Sequence, residues 1–268
     1  MYWINGMKTE NHMVKDRSFQ YGDGCFTTLL TRKGEPALWP CHVNRMNACL
    51  EKLSIPLPDW QQIESWVRQA ALSDDKAGIK IHISRGEGGR GYSPQGVINP
   101  TVTISTFPYP ELYADYRHQG MILGVCEQRL GLNPMLAGHK HNNRLEQVLL
   151  KAEMDNQGYV DGVVLDINEH VIETTMANLF WTKNDVLFTP DLTNSGVVGV
   201  MRAQVLEFAQ ANHWELLIGH FSLSDIENAD EVFITNSILG VVPIKNIKQK
   251  CYPIGKITKM IQENISCD

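Results

Sequence analysis

Two stretches of this chain combine glycine with the end of a helix or strand in a way that can hold an anion. Ser195-Gly-Val-Val-Gly-Val-Met-Arg202 runs into an amphipathic segment. Gly199 lets the backbone turn sharply there. The N–H groups near Val200 and Met201 then sit at the positive end of a helix dipole, a position that suits a phosphate. Thr235-Asn236-Ser237 follows an apolar strand and precedes Gly240. Its amides and hydroxyl can hold phosphate oxygens. Each stretch also reads as an ordinary glycine-containing loop. The chain has no Walker G-K-[ST], and the glycine-rich text at residues 86–91 lacks the strand-to-helix context of a dinucleotide fingerprint.

Three further places hold groups able to do chemistry. Lys140 sits in Gly138-His-Lys-His-Asn-Asn-Arg144, just ahead of an amphipathic helix. The dipole at a helix start disfavours an ammonium, and Arg144 and the adjacent histidines disfavour it further. Such surroundings lower an amine's pKa, as a Schiff-base nucleophile requires. The alternative is a solvated loop lysine. Glu173 closes a short strand and opens Thr174-Thr-Met-Ala-Asn-Leu-Phe180. Beside two threonines it can be buried with hydrogen bonds, or it can be an exposed turn residue. His42 and Arg45 lie three apart on one helix face. Arg45 can clamp a phosphate or sit in a surface ion pair. The sequence has no H-E-x-x-H, no G-x-S-x-G and no metal-ligand cluster.

The elements that must position these groups are legible in outline. Residues 2–4 with Asn5-Gly6 read as a strand and hairpin turn. Residues 26–31 are β-rich and turn back at Arg32-Lys33-Gly34. Residues 42–53 have helical spacing at Val43, Met46, Leu50 and Leu53, and residues 60–72 place Ile63, Val67, Ala70 and Ala71 inward. Residues 78–84 alternate Ile79, Ile81, Ile83 against Lys80, His82, Ser84, a half-buried strand. Residues 101–107 alternate as well. Alternation stops at residues 108–120. This predicts a small α/β domain over 1–109, a linker over 110–120 and a larger domain over 121–268 that includes Lys140. In the larger part a helix is expected over 142–156 with Leu145, Val148, Leu149 and Ala152 on its inward stripe. Helices are also expected over 201–212 and 258–265. Ser224-Asp-Ile-Glu227 reads as a capping box. Strand clusters punctuated by helices, without a regular βαβ beat, predict two α+β domains with a ligand cleft between them.

With 268 residues, 43% hydrophobic and 20% charged, the chain can bury a sizeable core and is neither disordered nor fibrous. A net charge of −6 argues against generic binding to nucleic acid or anionic membrane, while leaving room for a local basic pocket. The six cysteines, Cys25, Cys41, Cys49, Cys126, Cys251 and Cys267, form no C-x-x-C pair and read as reduced, buried small residues. The first residues lack the apolar core of a signal peptide, and no apolar run reaches membrane-spanning length. A soluble, cytoplasmic protein is the expectation.

Taken in order, the pieces form a pattern. Y-G-D-G-C-F at Tyr21–Phe26, H-x-x-R-M at His42–Met46, S-R-G-x-G-x-R-G-Y at Ser84–Tyr92, the Lys140 segment, E-x-x-x-x-N-L-F at Glu173–Phe180 and G-V-M-R at Gly199–Arg202 follow one another. The chain resembles the fold-type IV pyridoxal-phosphate enzymes, the class IV aminotransferase family, from Asn5 to about Ile247. Within that class the text Gly22-Asp-Gly-Cys-Phe-Thr-Thr28, Gly86–Ser93 and Leu136–Gln147 is most similar to aminodeoxychorismate lyases. Branched-chain aminotransferases typically read F-E-G where this chain has Phe26-Thr27-Thr28, and D-amino-acid transaminases usually place an acid after that Phe.

The resemblance implies roles. Lys140 binds pyridoxal 5′-phosphate as a Schiff base and later moves protons. Glu173 pairs with the pyridinium nitrogen and keeps the ring an electron sink. Arg45, Val200, Met201, Asn236 and Ser237 hold the phosphate. Thr28 assists proton transfer, and Arg90, Tyr92 and Tyr109 are candidates for substrate contact. It further implies a homodimer and a lyase that makes 4-aminobenzoate, a folate precursor, and pyruvate. The rivals are a transaminase on the same fold and a non-catalytic phosphate-binding module, in which Lys140 is a mere anion contact.

Overall fold

The computed structural model describes residues 1–11 and 13–265, so Cys267 lies outside the described residues. The chain forms two compact units. The first holds Met1–Tyr109 together with His139–Asn143, and the second holds Pro110–Gly138 with residues 144–265. The described elements mix helices with two sheets, in agreement with the α+β expectation.

The first unit is built on an antiparallel sheet of β1 (Tyr2–Ile4), β2 (Met7–Lys8), β3 (Gly24–Arg32), β4 (Glu35–Pro36), β5 (Ala77–Ser84) and β6 (Thr101–Pro108). Their order across the sheet is β2-β1-β6-β5-β3-β4. α1 (Arg17–Tyr21) precedes β3, and α2 (Trp39–Lys52) and α3 (Trp60–Ala70) follow β4. Asp59 caps α3 by accepting the Gln61 and Gln62 N–H groups. The alternation read from the sequence holds. Ile79, Ile81, Ile83, Val102 and Ile104 join Cys25 and Leu29 in a core completed by Met46, Leu50, Ile63 and Val67 of the helices. The other face mixes Phe26, Leu30 and Phe107 with Thr28, Lys80, His82, Thr103 and Ser105.

Asp23 pins the start of β3. Its carboxylate accepts from Arg17 Nε at 2.8 Å and from Arg85 Nε and Nη2 at 2.8 and 3.1 Å. Burial pushes the carboxyl up, but hydrogen bonds and charge from Arg85 and Arg17 outweigh it and hold the pKa below the ordinary value. Arg17 Nη atoms also reach the carbonyls of Gly88, Gly91, Tyr92 and Ser93 at 3.0–3.4 Å. The glycine-rich loop is thus wrapped round an arginine.

The second unit contains α4 (Leu112–Gln119), β7 (Met121–Val125), α5 (Leu145–Asn156), β8 (Asp161–Leu165), β9 (Val171–Thr174), β10 (Asn178–Lys183) and β11 (Val186–Pro190). After these come α6 (Val200–Ala211), β12 (Leu216–Gly219), α7 (Leu223–Glu227), β13 (Glu231–Asn236), β14 (Gly240–Ile247), β15 (Lys250–Cys251) and α8 (Lys256–Asn264). The nine strands run β12-β11-β10-β13-β14-β7-β8-β9, with β15 on β14. Leu123, Val163, Leu179, Trp181, Val232, Ile234 and Ile244 centre the core. Buried Glu231 caps α8 through the Ile257 and Thr258 N–H groups and the Thr258 hydroxyl.

Several expectations are corrected. Residues 110–120 are no bare linker, because α4 occupies most of them within the second unit. The Lys140 segment clusters with the first unit, since it pairs with β3. The capping box is Ser222 with Asp225, two residues earlier than read. α5 turns Leu150 and Met154 inward and leaves Leu145 70%, Val148 59% and Leu149 48% exposed, so the apolar stripe faces away from the core. Cys25, Cys49 and Cys126 are buried, but Cys41 is only partly so and Cys251 is exposed.

Asp23→Ala leaves two buried guanidinium groups without their shared carboxylate. It should destabilise the protein by about 3–5 kcal/mol in urea unfolding. An unfolding free energy within 1 kcal/mol of wild type would show that the Asp23 pairing is dispensable.

Candidate active site

In the first unit the Lys140 segment lies along the edge of β3. Phe26 N–H donates to Lys140 O at 3.0 Å, and Asn142 N–H donates to Gly24 O at 3.0 Å. Asn142 Nδ2 donates to Ser18 Oγ at 2.9 Å, and Asn143 Nδ2 to Gly22 O at 3.1 Å. The approach demands glycine. A Cβ on Gly24 would stand 2.2 Å from Ile83 O, and one on left-handed Gly22 would stand 2.1 Å from Asn143 Oδ1. The Gly-Asp-Gly text therefore builds the seat of Lys140. Its Nζ lies 4.8 Å from the centroid of the Phe26 ring, within cation–π range. α5 starts only at Leu145, behind Arg144. The sheet face, not a helix end, surrounds the lysine. Thr28 is half-buried two residues beyond Phe26 on that same face.

Thr27 points to the core side and is 1% exposed. Its Oγ1 lies 2.7 Å from His42 Nδ1 and accepts an N–H from Arg45 Nη2. Thr27 Oγ1 thus links the Arg45 guanidinium to the His42 ring. Burial, and then the Arg45 charge, push the His42 pKa down to about 3. Burial likewise pushes the Arg45 guanidinium down to about 10. Arg45 Nε is buried and makes no hydrogen bond with the described residues.

In the second unit Glu173 ends in a buried acceptor. Its Oε2 takes the Val197 N–H at 3.1 Å. Asn178 faces the same loop: its Oδ1 accepts the Gly199 N–H at 3.0 Å, and its Nδ2 donates to Val197 O at 2.8 Å. These two side chains hold the loop that feeds α6. Gly199 has no room for a Cβ, which would lie 2.1 Å from Asn178 Oδ1. Gly199 is the N-cap of α6, no side chain caps that helix, and Val200 and Met201 are both buried. Gly138 closes the arrangement by donating to Gly196 O at 3.0 Å and accepting from Val198 N–H at 2.9 Å.

Asn236 builds a turn. Its Oδ1 accepts from Ile238 and Leu239 N–H at 3.0 and 2.8 Å, and its Nδ2 donates to Met176 O at 3.2 Å. Its oxygen is thus spent on the backbone, and the adjacent Ser237 hydroxyl is half-buried. Arg202 turns inward and donates to Pro190 O at 3.0 Å. Of the tentative substrate residues, Arg90 is exposed and Tyr92 is 90% exposed, edge-on to Tyr21 at 5.6 Å. It is their loop's backbone that is engaged. Tyr109 follows Pro108, which pairs with Ala77, whereas the Phe26 row is His82 and Thr103. That puts Tyr109 roughly 15–20 Å along the strand from Phe26, where Lys76 stands over its ring.

The amino-transferase class IV family model matches residues 24–247. The chain belongs to the class IV aminotransferase family. It is 53% identical to the aminodeoxychorismate lyase of Vibrio harveyi over 99% of this chain and 100% of that one. It is also similar to the solved 4-amino-4-deoxychorismate lyase of Pseudomonas aeruginosa, with a TM-score of 0.92 and 38% identity, covering 98% of this chain and 97% of that chain. A hypothetical aminotransferase from Mycobacterium tuberculosis, in its PLP-bound form, shares the fold at a TM-score of 0.84 and 17% identity, over 98% and 96% of the two chains. The resemblance and the fold class expected from the sequence are borne out.

Within this class IV aminotransferase chain, sequence reading missed Asn142 and Asn178 and the link from Thr27 to His42. Asn178 had a signal, the five-residue step from Glu173 along one turn. Thr27 had none, because a buried threonine reads like any strand residue.

His42 yields a pH test. Its pKa falls from an ordinary 6.5 to about 3 in the folded chain, so between those values the unfolded chain binds one more proton. Its contribution is full above the unfolded value and is lost as pH falls. Stability should decline by about 1 kcal/mol per pH unit below pH 6 through this group. His42→Asn keeps an acceptor for Thr27 and should flatten that decline in denaturant unfolding from pH 7 to pH 4. An unchanged slope would mean that other groups set it.

Proposed function

We propose that this chain is an aminodeoxychorismate lyase, converting 4-amino-4-deoxychorismate to 4-aminobenzoate and pyruvate with pyridoxal 5′-phosphate, in the supply of folate. Full-length identity with the Vibrio harveyi lyase carries the reading. Thr27-Thr28, where the branched-chain pattern has Glu-Gly, supports it.

The residues fit the cofactor. Arg45 has a buried, unspent N–H, the start of α6 has no side-chain cap, and a glycine cradle there leaves no space for a Cβ. Those donors suit a phosphate. Glu173 is a buried acceptor suited to a protonated ring nitrogen. In this reading Arg45, Val200, Met201, Asn236 and Ser237 bind the phosphate, Asn236 by shaping its turn, and Glu173 binds the ring. Asn178 holds the cradle. Bound there, pyridoxal phosphate supplies an electron sink. Lys140 holds the cofactor and takes the proton from C4 of the substrate. The C3–oxygen bond breaks, the ring becomes aromatic and the pyruvyl carbon gains a proton. Lys140 returns that proton, relayed by the Thr28 hydroxyl. Atoms balance, since the two products together contain those of the substrate.

The first test is a near-visible spectrum of purified protein loaded with pyridoxal phosphate. A yellow band that is lost in Lys140→Ala, with release of 4-aminobenzoate and pyruvate, is the expected result. A yellow protein that instead moves amino groups from amino acids to 2-oxoglutarate would favour the transaminase. A protein that stays colourless would remove both readings. Thr28→Ala should slow turnover at least ~10-fold while the band persists; unimpaired turnover removes the relay.

The working form in this reading is a cytoplasmic homodimer. No helix of the described residues is long and apolar enough to cross a membrane. The exposed Leu145, Val148 and Leu149 form the kind of apolar stripe a second copy covers. Sedimentation velocity should give a dimer, and a monomer at micromolar concentration would remove this part.

A further inference from the structure

One buried carboxylate of the second unit takes no part in the reaction as proposed. Asp161 opens β8 and is 0% exposed, ahead of the apolar run Val163, Val164 and Leu165. Its Oδ1 accepts from Gly162 N–H at 2.8 Å, from Thr175 N–H at 2.9 Å and from the Thr175 hydroxyl at 2.6 Å. Its Oδ2 is buried and has no hydrogen-bond partner among the described residues. Burial pushes the carboxyl above its ordinary pKa, against the hydrogen bonds that lower it. A valine would suit the strand. Burying a carboxyl there costs stability, and what it secures is Thr175.

Thr175 belongs to a turn on which three residues of the candidate site depend. Glu173 lies near the end of β9, just before the turn, and Asn178 opens β10 just after it. Thr174 and Ala177 close the turn on each other. Thr174 N–H donates to Ala177 O at 2.8 Å, and Ala177 N–H donates to Thr174 Oγ1 at 3.0 Å. Between them the Met176 carbonyl accepts from Asn236 Nδ2. Thr175 ties the turn back to β8, since its N–H reaches Gly162 O at 3.2 Å as well as Asp161 Oδ1. A slip of this turn would draw Glu173 off the Val197 N–H and Asn178 off the Gly199 N–H. A site group is held only as firmly as the residues behind it.

We propose that Asp161 is a positioning residue for the cofactor, holding through Thr175 the turn that aims Glu173 and Asn178 and docks Asn236. This rests on the cofactor reading above. Asp161 is fully buried and acts through the turn, so its loss acts on cofactor affinity.

The test is equilibrium dialysis of each holoenzyme, giving the dissociation constant of pyridoxal phosphate, with the near-visible band recorded alongside. Asp161→Ala removes every acceptor and should raise that constant about 10-fold or more. Thr175→Val removes the hydroxyl but keeps the N–H, and should raise it about 3–5-fold. Asp161→Asn keeps an oxygen for Thr175 and should stay within about 2-fold of wild type. Ile261→Ala, a fully buried change on α8, is the control for lost stability alone. It should unfold at lower urea and keep its cofactor within the same 2-fold. Alanine and valine variants that both stay within about 2-fold of wild type overturn the proposal. So does Asp161→Asn as weak as Asp161→Ala, because the accepted hydrogen bonds would then not carry the effect. An equal loss in Ile261→Ala overturns it too, as general destabilisation would then explain the loss. If Asp161→Ala does not fold, Thr175→Val decides. A wild type that retains no cofactor removes the cofactor reading and this proposal with it. Unchanged variants beside a wild type that retains its cofactor remove the proposal alone.

Discussion

Two backbone hydrogen bonds fix the place of Lys140, the residue on which the proposed chemistry turns. Phe26 donates to Lys140 and Asn142 donates to Gly24, each at 3.0 Å. β4 pairs with β3 only at Thr31 and Arg32, so the opposite end of the β3 edge is open to a short segment from far along the chain. His139–Asn143 takes that place. A lysine on a mobile loop would sample many positions. Held by this bridge to β3, it has one, beside the Phe26 ring. The arrangement works only because Gly24 brings no Cβ against Ile83 O and because Asp23 beside it is fixed by two arginines. One buried ion network therefore anchors the strand whose edge anchors the lysine.

The distribution of charge follows from that placement. The chain is acidic overall, with a net charge of −6. Yet Arg45 and Lys80 are held partly out of water in the first unit without carboxylate partners of their own. Uncompensated buried cations cost stability. In the proposed reading the Arg45 guanidinium is completed by the cofactor's phosphate. Long-range field and local field thus have opposite signs.

Much of the first unit was legible because its signals are local. Alternation of Ile79, Ile81 and Ile83 named the buried face of β5 without any partner, and Ile63 and Val67 did the same for α3. α1 was not read from the sequence, nor were the caps Asp16, Gly22 and Asp59, although all three follow short-range rules. What else escaped depends on contacts distant in sequence. Nothing near residues 139–143 announces that their partner is β3. α5 has two possible apolar stripes, and periodicity cannot say which one meets the core. That choice belongs to Leu150 and Met154, packed with Leu130, Val164 and Ile172. The candidate residues fared alike. Lys140, Glu173 and Arg45 stood out by type and place, whereas Asn178 and Thr27 act through pairs of hydrogen bonds whose partners are distant in sequence. Lys80 was visible only as the polar member of an alternating strand.

Thr27 and Thr28 show how two adjacent residues can separate reaction classes. They lie on opposite faces of β3 and do different things. Thr27, turned to the core, accepts from Arg45 and is hydrogen-bonded to His42, so it orients the guanidinium while adding no charge of its own. An acid at that position, as in the transaminase pattern, would neutralise the guanidinium from behind. Thr28, turned to the lysine face, places a hydroxyl where the F-E-G pattern has a glycine. That face then holds a hydroxyl opposite Lys80, within the set of side chains around Phe26. Exchanging a charge behind the sheet for a neutral clamp, and a bare backbone in front of it for a hydroxyl, leaves the anion-binding charge intact and adds a proton-carrying group. An elimination that ends in protonation of a departing carbon needs both.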